Sequence, residues 1–415
     1  MNLILTLTIL AVFLAMVTYL LLLLANNSRT QAINQRTAEL EGNLLKAKID
    51  QIMVQKSSDA NNFGVPWDGY RKFRIIKKIK ETESISSFYL VPNDDKPLPP
   101  FFPGQYLTFQ LKIPGQAKPV VRCYSLSDSP HPDQFRVTIK REMPPKDNPD
   151  APPGLGSNFF HDSLNENSIV DIRTPRGHFF LDMKKNKPVV LLAGGVGITP
   201  VLSMLNAIVA LGIKRETWFF LGVINKKEHV MREHLETVAN ENENVRLHVC
   251  YSKPDPSDVE GQDYHHKERV SVDLLKRLLP SNNYDFFICS PPGMVKVLRE
   301  DLAAWGVPKD KINFEAFGSE TVKECNTQEV PDVEVTFAKS GKTFPWDPKM
   351  NSLLDFAEAN GINMDSGCRG GNCGSCLTAV TKGSVNYISE PGSEPEAGSC
   401  LTCISVPKEK LTLDA

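Results

Sequence analysis

The sequence predicts a multidomain chain with an N-terminal transmembrane helix, an antiparallel β-barrel, a parallel-sheet α/β domain and a small α+β domain. Three observations predict it. Residues 3–25 are nearly all apolar, and the first charge is Arg29. From 70 to about 182, β-rich runs alternate with Pro and Gly turns, whereas from 188 to 318 apolar strands alternate with helical stretches. Five of the nine cysteines then fall within the last fifty residues. At ~150 residues per domain, 415 residues make two or three domains. A composition of 41% hydrophobic and 23% charged residues excludes wholesale disorder and fibrous repeats. Lys+Arg 47 against Asp+Glu 49 leaves no basic excess for neutralising phosphates, so no nucleic-acid partner is expected.

Taken in order, residues 1–27 read as one anchor, since the apolar run is long enough to cross ~30 Å of hydrocarbon and lacks the charged start and cleavage site of a signal peptide. Arg29, Arg36, Lys46 and Lys48 follow it, so the positive-inside rule predicts a single-pass membrane protein with its remaining domains on the cytoplasmic side. Residues 28–66 read as a helical stalk and linker. Its apolar positions Ile33, Leu40, Leu44 and Ile52 are too few for a coiled-coil seam, which favours a solvated spacer. The runs 73–79, 106–113 and 135–140 belong to a barrel of roughly six strands over 67–185, and the proline-dense stretch 143–156 to a surface loop. Strands at 189–193, 218–223, 247–251 and 286–289 define the parallel sheet of 186–320. The remaining 330–415 carry strands, one helix near 353–360 and the cysteine cluster.

Cys368, Cys373 and Cys376 are spaced C-x4-C-x2-C, and Cys403 follows 27 positions after Cys376. This spacing fits plant-type [2Fe-2S] ligation, with glycines that let the loop turn its backbone N–H groups toward sulfur. The rival pairing, Cys373/Cys376 with Cys400/Cys403 as a zinc ribbon, leaves Cys368 idle. In the α/β segment, a strand runs into Gly194, Gly195, Val196, Gly197, Ile198, Thr199 and Pro200. Thr199 suits an N-cap and Pro200 the first helical position, offering free N–H groups to a dinucleotide pyrophosphate, although the last glycine of the Rossmann fingerprint is missing. A second piece, Cys289-Ser290-Pro291-Pro292-Gly293-Met294, lies at the end of the last core strand foreseen. Upstream, Arg122-Cys123-Tyr124-Ser125 alternates so that Arg122 and Tyr124 share a face, a cation beside an aromatic that suits a flavin. Of the histidines, His229 and His234 flank a helical stretch and read as solvated, and His265-His266 as part of a polar loop.

Together, Arg122 to Ser127, Gly156-Ser157-Asn158, Gly194 to Pro200 and Cys289 to Met294 resemble the ferredoxin-NADP reductase superfamily over 70–318. Residues 137–142, 156–162 and 177–180 look most like the reductase half of flavohaemoglobins. With the C-terminal segment, which is similar to a β-grasp ferredoxin, the layout resembles reductase components of multicomponent oxygenases. The resemblance implies that Arg122, Tyr124 and Ser125 hold the flavin, and that Gly156, Ser157 and Asn158 hold the FAD pyrophosphate. It implies that Gly194, Gly195, Gly197, Thr199 and Cys289 bind the nicotinamide nucleotide, that Glu315 and Phe317 close over the flavin, and that Cys403, following Leu401-Thr402, is the fourth iron ligand. Cys289, Tyr124 and Ser125 are then the candidates to touch the reacting rings. Ser290 stands where the family usually has glycine. The cofactors implied are FAD, a [2Fe-2S] cluster and NADH, with NADPH open because Lys226 and Lys227 follow the second α/β strand.

The expected activity is a membrane-anchored NADH-dependent reductase that passes hydride to FAD and single electrons through [2Fe-2S] to a separate, membrane-bound redox protein such as an oxygenase, hydroxylase or desaturase. A quinone or soluble acceptor served directly from the flavin is the alternative, and a nonenzymatic redox sensor is a third reading.

Overall fold

The computed structural model describes residues 63–116, 118–144, 149–150, 152–317, 333–371, 374–388, 391 and 395–415. Six strands form the first domain: β1 (Arg71–Lys80), β2 (Ile85–Pro92), β3 (Tyr106–Leu111), β4 (Val120–Ser125), β5 (Phe135–Lys140) and β6 (Ile169–Arg176). A helix, α1 (Leu155–Asp162), lies between β5 and β6. The antiparallel order is β4-β3-β6-β1-β2-β5, and a bridge from Leu126 to Val137 brings the two edges together as a barrel. Strand alternation turns Phe73, Phe88 and Phe109 inward. There Phe160 of α1 meets Phe88 and Phe109 edge-on, with ring centroids 5.2 Å apart in both pairs, so the helix is fastened to the barrel by its own aromatic plug.

The second domain runs β7 (Val189–Gly194), α2 (Ile198–Ala210), β8 (Thr217–Val223), α3 (Arg232–Glu241), β9 (Val245–Tyr251), α4 (Val272–Leu278), β10 (Asp285–Ser290), α5 (Pro292–Ala304) and β11 (Ile312–Ala316). All pairings are parallel, in the order β11-β10-β7-β8-β9. Every residue of β7 is buried because helices cover both faces, which is why the strand is uniformly apolar rather than alternating. Strand order reverses between β7 and β10, and open sheets of this kind bind ligands at the C-terminal ends beside such a reversal.

The third domain comprises β12 (Glu334–Phe337), β13 (Lys342–Pro345), α6 (Leu353–Ala359), β14 (Leu377–Lys382), β15 (Val385–Tyr387), β16 (Ser399–Leu401), β17 (Ser405–Pro407) and β18 (Leu411–Leu413). Its main sheet has the order β13-β12-β18-β14-β16, with β15 and β17 paired separately. Ser352 caps α6 by accepting the Asp355 N–H at 3.1 Å. Phe356 of the helix packs on Phe337 and Trp346, the one-helix, mixed-sheet core expected of a β-grasp.

The fold class requires one correction. No helix among the described residues is long and apolar enough to cross a membrane, so the structure supports three folded domains and gives no support to the transmembrane helix expected at residues 3–25. That run and the stalk expected at 28–66, up to residue 62, lie outside the described residues. Two further readings change. Gly156, Ser157 and Asn158 lie in a helix rather than a loop, and Phe160 and the local hydrogen bonds explain why the proline-rich stretch ends there. Thr199 is not an N-cap. A 3₁₀ turn over Gly195–Gly197 takes up the strand end, α2 starts at Ile198, and Thr199 Oγ1 donates to the Val196 carbonyl at 3.2 Å from within the first turn.

Candidate functional site

On the barrel, Arg122 and Tyr124 face the start of α1. A Cβ at Gly156 would stand 2.8 Å from Arg122 Cγ and 3.1 Å from the Tyr124 hydroxyl, so the helix comes this close only because the residue is glycine. No side chain caps α1 and no acidic residue occupies its first turn. Its leading N–H groups are therefore open to an anion beside the Arg122 guanidinium. Tyr124 packs edge-on against Phe109 and Phe160 at 5.7 and 5.2 Å, and burial pushes its phenol well above the ordinary range, keeping the hydroxyl a donor. Ser125 is buried and pairs with Tyr106 across the ladder. Ser157 and Asn158 turn their side chains back to the chain instead of outward. Ser157 Oγ donates to the Gly154 carbonyl and accepts the Glu142 N–H, both at 3.1 Å. Asn158 Nδ2 donates to the carbonyls of Glu142 and Gly154 at 2.8 and 2.9 Å. What the pair can offer a phosphate is the Ser157 backbone N–H, because the Asn158 N–H is donated to the Gly154 carbonyl at 3.0 Å. The cleft-facing arginine, the aromatic and the uncapped helix start suit an FAD.

At the sheet reversal, Gly194, Gly195 and Gly197 carry the chain from β7 into α2. Gly195 has φ +55° with nothing within 4 Å of a built Cβ, whereas a Cβ at Gly197 would stand 2.2 Å from the Cys289 carbonyl oxygen. The first glycine serves the turn and the second serves close approach to β10. Cys289 is fully buried between Ala193 and Glu315 in the parallel ladder. Burial, reinforced by Glu315, pushes its thiol well above the ordinary range, so it stays S–H and is no nucleophile. Phe317 donates its N–H to the Ser290 carbonyl at 3.0 Å and packs on the cluster that holds Cys289. The uncapped α2 start and the open space over Gly195 suit a dinucleotide.

In the third domain Cys376 meets Cys403 from the turn after β16, with Cys368 near enough to act on Cys403 electrostatically; Cys373 lies outside the described residues, and among those described no three His, Cys, Asp or Glu side chains converge as a metal site by themselves. The Sγ atoms of Cys376 and Cys403 are 3.1 Å apart, near enough to share one metal ion, and the Gly370 N–H points at Cys368 Sγ at 3.4 Å. Arg369 between them is held by Asp355 at 3.4 Å and by Glu358. The hydrogen-bonded Cys376 thiol and then burial push the Cys403 thiol far up. Cys400 sits in β16 opposite Thr378, and burial takes it up to about 12, so it belongs to the core. The donor set and the sulfur-directed N–H suit an iron–sulfur cluster.

No local pattern of residues signals that these sites adjoin. Tyr106 Oη lies 3.0 Å from Ser375 Oγ, and Ser375 sits inside the cysteine loop while Tyr106 pairs with Ser125. Gly374 lies against the His178 ring, and Arg173 reaches Asp365 at 3.0 Å beside a cleft of about 200 Å³ lined by Trp67, Gly69, Thr174 and Arg176. The only legible signal was Ser375's position between two ligand candidates. The histidines read as solvated also differ. His229 is buried and hydrogen-bonds the Tyr251 hydroxyl at 2.9 Å, and His234 Nε2 donates to Asn206 Oδ1 at 2.7 Å.

Three family profiles match the chain: an oxidoreductase FAD-binding domain over 72–181, an oxidoreductase NAD-binding domain over 191–300 and a 2Fe-2S iron-sulfur cluster binding domain over 335–408. The chain thus joins an oxidoreductase FAD-binding domain and an oxidoreductase NAD-binding domain to a C-terminal 2Fe-2S domain. It is an NAD(P)H-dependent oxidoreductase whose cofactors are FAD and a [2Fe-2S] cluster. The reductase is 36% identical over 271 residues to a flavohemoprotein of Halalkalibacterium halodurans, covering 65% of this chain and 64% of the other. It is 37% identical over 252 residues to a Bacillus cereus flavohemoprotein, covering 61% and 62%. The chain thus spans less than two thirds of these curated relatives. Among solved structures, the FAD/NAD-binding domain of a Vibrio cholerae nitric oxide dioxygenase matches with TM-score 0.53 and 29% identity, covering 60% of this reductase and 98% of that chain. Phthalate dioxygenase reductase, described as a modular structure for electron transfer from pyridine nucleotides to [2Fe-2S], matches with TM-score 0.55 and 26% identity over 84% and 98%.

Proposed function

We propose that the reductase takes its hydride from NADH and delivers single electrons through the Cys368–Cys403 loop to a separate redox protein of the oxygenase, hydroxylase or desaturase class. The likeness to phthalate dioxygenase reductase along nearly that protein's whole length supports this reading. The observation that carries it is the Tyr106–Ser375 contact, which joins the cysteine loop to the ladder partner of Ser125. Bound in these sites, a flavin exchanges electrons in pairs or singly, whereas a [2Fe-2S] cluster carries one at a time. The chain supplies the rest. Arg122 and the α1 start neutralise phosphate, the half-buried Tyr124 and the buried Cys289 keep water from the reacting rings, and Tyr106 holds the exit loop close.

The preference for NADH is supported at the loop after β8. Lys226 is tied to Asp263 and Lys227 to Asp255, each at 2.9 Å, so the cations that a 2′-phosphate would need already have carboxylate partners. Asp255→Asn should release Lys227 and raise the NADPH-to-NADH ratio of kcat/KM severalfold; an unchanged ratio removes this support. The reading as a whole is tested by anaerobic NADH titration followed by visible absorbance and low-temperature electron paramagnetic resonance. Flavin bleaching followed by a reduced [2Fe-2S] signal is expected. Bleaching without that signal, in protein shown to hold two irons per chain, would favour exit directly from the flavin.

A further inference from the structure

A polar joint between the first two domains plays no part in the sites above. Asp128 lies three positions beyond Ser125, on the chain that leaves the flavin strand β4. Its carbonyl accepts from Ser203 Oγ at 2.6 Å, and its Oδ1 accepts from Asn206 Nδ2 at 2.8 Å. Ser203 and Asn206 stand one turn apart on α2, the helix that begins at the glycine turn. Behind Asp128, Arg136 of β5 approaches its Oδ2 at 3.3 Å and donates to the Ser127 hydroxyl at 3.2 Å and to the Ser127 carbonyl. Ser127 Oγ in turn meets Thr138 Oγ1 at 2.8 Å. Beyond Asn206, its Oδ1 takes the His234 Nε2 proton at 2.7 Å, which adds α3 to the joint.

Ser127 and Ser203 are fully buried, Asn206 is 7% exposed and Arg136 8% exposed. Buried polar groups of this kind must keep their partners, so they fix one arrangement where apolar surfaces would allow sliding. The apolar half of the same interface includes Met204 of α2 beside Gly104, where a Cβ would stand 2.7 Å from Met204 Cε, an approach with no directional bond.

We propose that Asp128 and Asn206 form the joint that sets how far the nicotinamide stands from the flavin, and so act as positioning residues for hydride transfer. This rests on the proposed NADH-to-flavin reaction. The flavin strand and the nucleotide helix are each rigid and short between the joint and their ligand ends, so a shift at Asp128 passes to the reacting atoms with little loss. Hydride transfer is sensitive to such a shift, because the reacting atoms must come within ~3–3.5 Å and ~1 Å of misplacement can cost ~10²-fold.

The experiment uses the full chain loaded with FAD, comparing wild type with Asn206→Ala by anaerobic rapid mixing with NADH. The readouts are the long-wavelength charge-transfer absorbance of the nicotinamide–flavin pair, the limiting rate of flavin bleaching, the Kd for NADH, and FAD content. N206A is expected to lose at least threefold in charge-transfer absorbance per bound FAD and at least tenfold in limiting rate, with Kd and FAD content within twofold of wild type. Band and rate within twofold of wild type overturn the joint. So does a loss explained entirely by lower FAD content, which is what a merely structural role would give. If N206A does not fold, Ser203→Ala deletes one hydroxyl from the same grip and is expected to lose about threefold in rate with a weaker band; no change in either refutes the proposal equally. A wild-type protein that NADH does not bleach refutes the proposed reaction itself, and the joint falls with it.

Discussion

Two alanine substitutions two residues apart should have opposite characters, because the glycine turn uses its glycines differently. In Gly197→Ala the new methyl would stand 2.2 Å from the Cys289 carbonyl oxygen, 2.6 Å from its carbon and 2.9 Å from the Ser290 nitrogen. All three are backbone atoms of β10, so no side chain can swing aside. Restoring van der Waals contact needs the turn and the strand to separate by about 1 Å, straining the β7–β10 ladder at Ala193 and Cys289. Overpacking of this kind costs about 1–3 kcal/mol and a lost ladder hydrogen bond about 1 kcal/mol, giving roughly 3 kcal/mol in all. That corresponds to a fall of about 6–12 °C in the unfolding midpoint of a domain of this size class. Gly195→Ala meets nothing within 4 Å and carries only the penalty of a Cβ at φ +55°, roughly 1–2 kcal/mol. Its larger effect should be on the ligand, since the methyl occupies open space over the turn, and the Kd for NADH should rise about tenfold, or ~1.4 kcal/mol. Thermal unfolding of the apoprotein and NADH titration of both variants decide the matter. Destabilisation by G195A equal to that of G197A, or a G197A midpoint within 2 °C of wild type, would refute the steric argument.

Three other outcomes follow from the sites. Cys403→Ser should lose the [2Fe-2S] absorbance and iron while Cys400→Ser keeps both, because only the former thiol faces Cys376 at 3.1 Å; iron loss in C400S would reverse the assignment. His229 is buried and held neutral, its pKa lowered to about 4 chiefly by desolvation, against ~6.5 in the unfolded chain. The unfolded state therefore takes up the proton first, so stability falls as pH drops from about 6.5 to 4, by about 3 kcal/mol in total, and His229→Gln should flatten that slope in urea titrations run across the window. Asp365→Asn breaks an ion pair with Arg173 whose side chains are 65% and 30% exposed, so it should change stability by under ~1 kcal/mol; a loss above ~2 kcal/mol would mean that this contact, not Tyr106–Ser375, holds the third domain in place.

The elements with strong periodicity were legible. Residues 135–140 alternate and 189–193 are continuously apolar, and the structure makes β5 of the first and begins β7 with the second. Helix α1 escaped because Leu155–Asp162 is short and follows five prolines, and its stability comes from Phe160 buried against strands far away in sequence. Strand β11 escaped because it is only five residues long and two of them, Asn313 and Glu315, are polar. In the sites, Arg122 with Tyr124 and the cysteine spacing could be read locally, since each depends on residues a few positions apart. Asp128 with Asn206, and Tyr106 with Ser375, join residues 78 and 269 positions apart, and no local pattern encodes such pairs. His229 misled because a polar stretch with helical spacing looks solvated, whereas packing against Tyr251 buries it.

The placement of β18 at the middle of its sheet has a consequence for synthesis. Leu411 pairs in parallel with Val335, and β14 flanks β18 on the other side, so Leu411–Leu413 is the piece that unites the two halves of the sheet. A ribosome adding ~5–20 residues per second needs roughly 4–15 s to travel from the first partner to the second. During that interval β12 and β13 have only each other, and a two-stranded ribbon is marginal in water. The third domain is thus the last of the three to become self-supporting, and the loop meant for iron must wait, unscaffolded, while the flavin and nucleotide domains ahead of it already have all their strands.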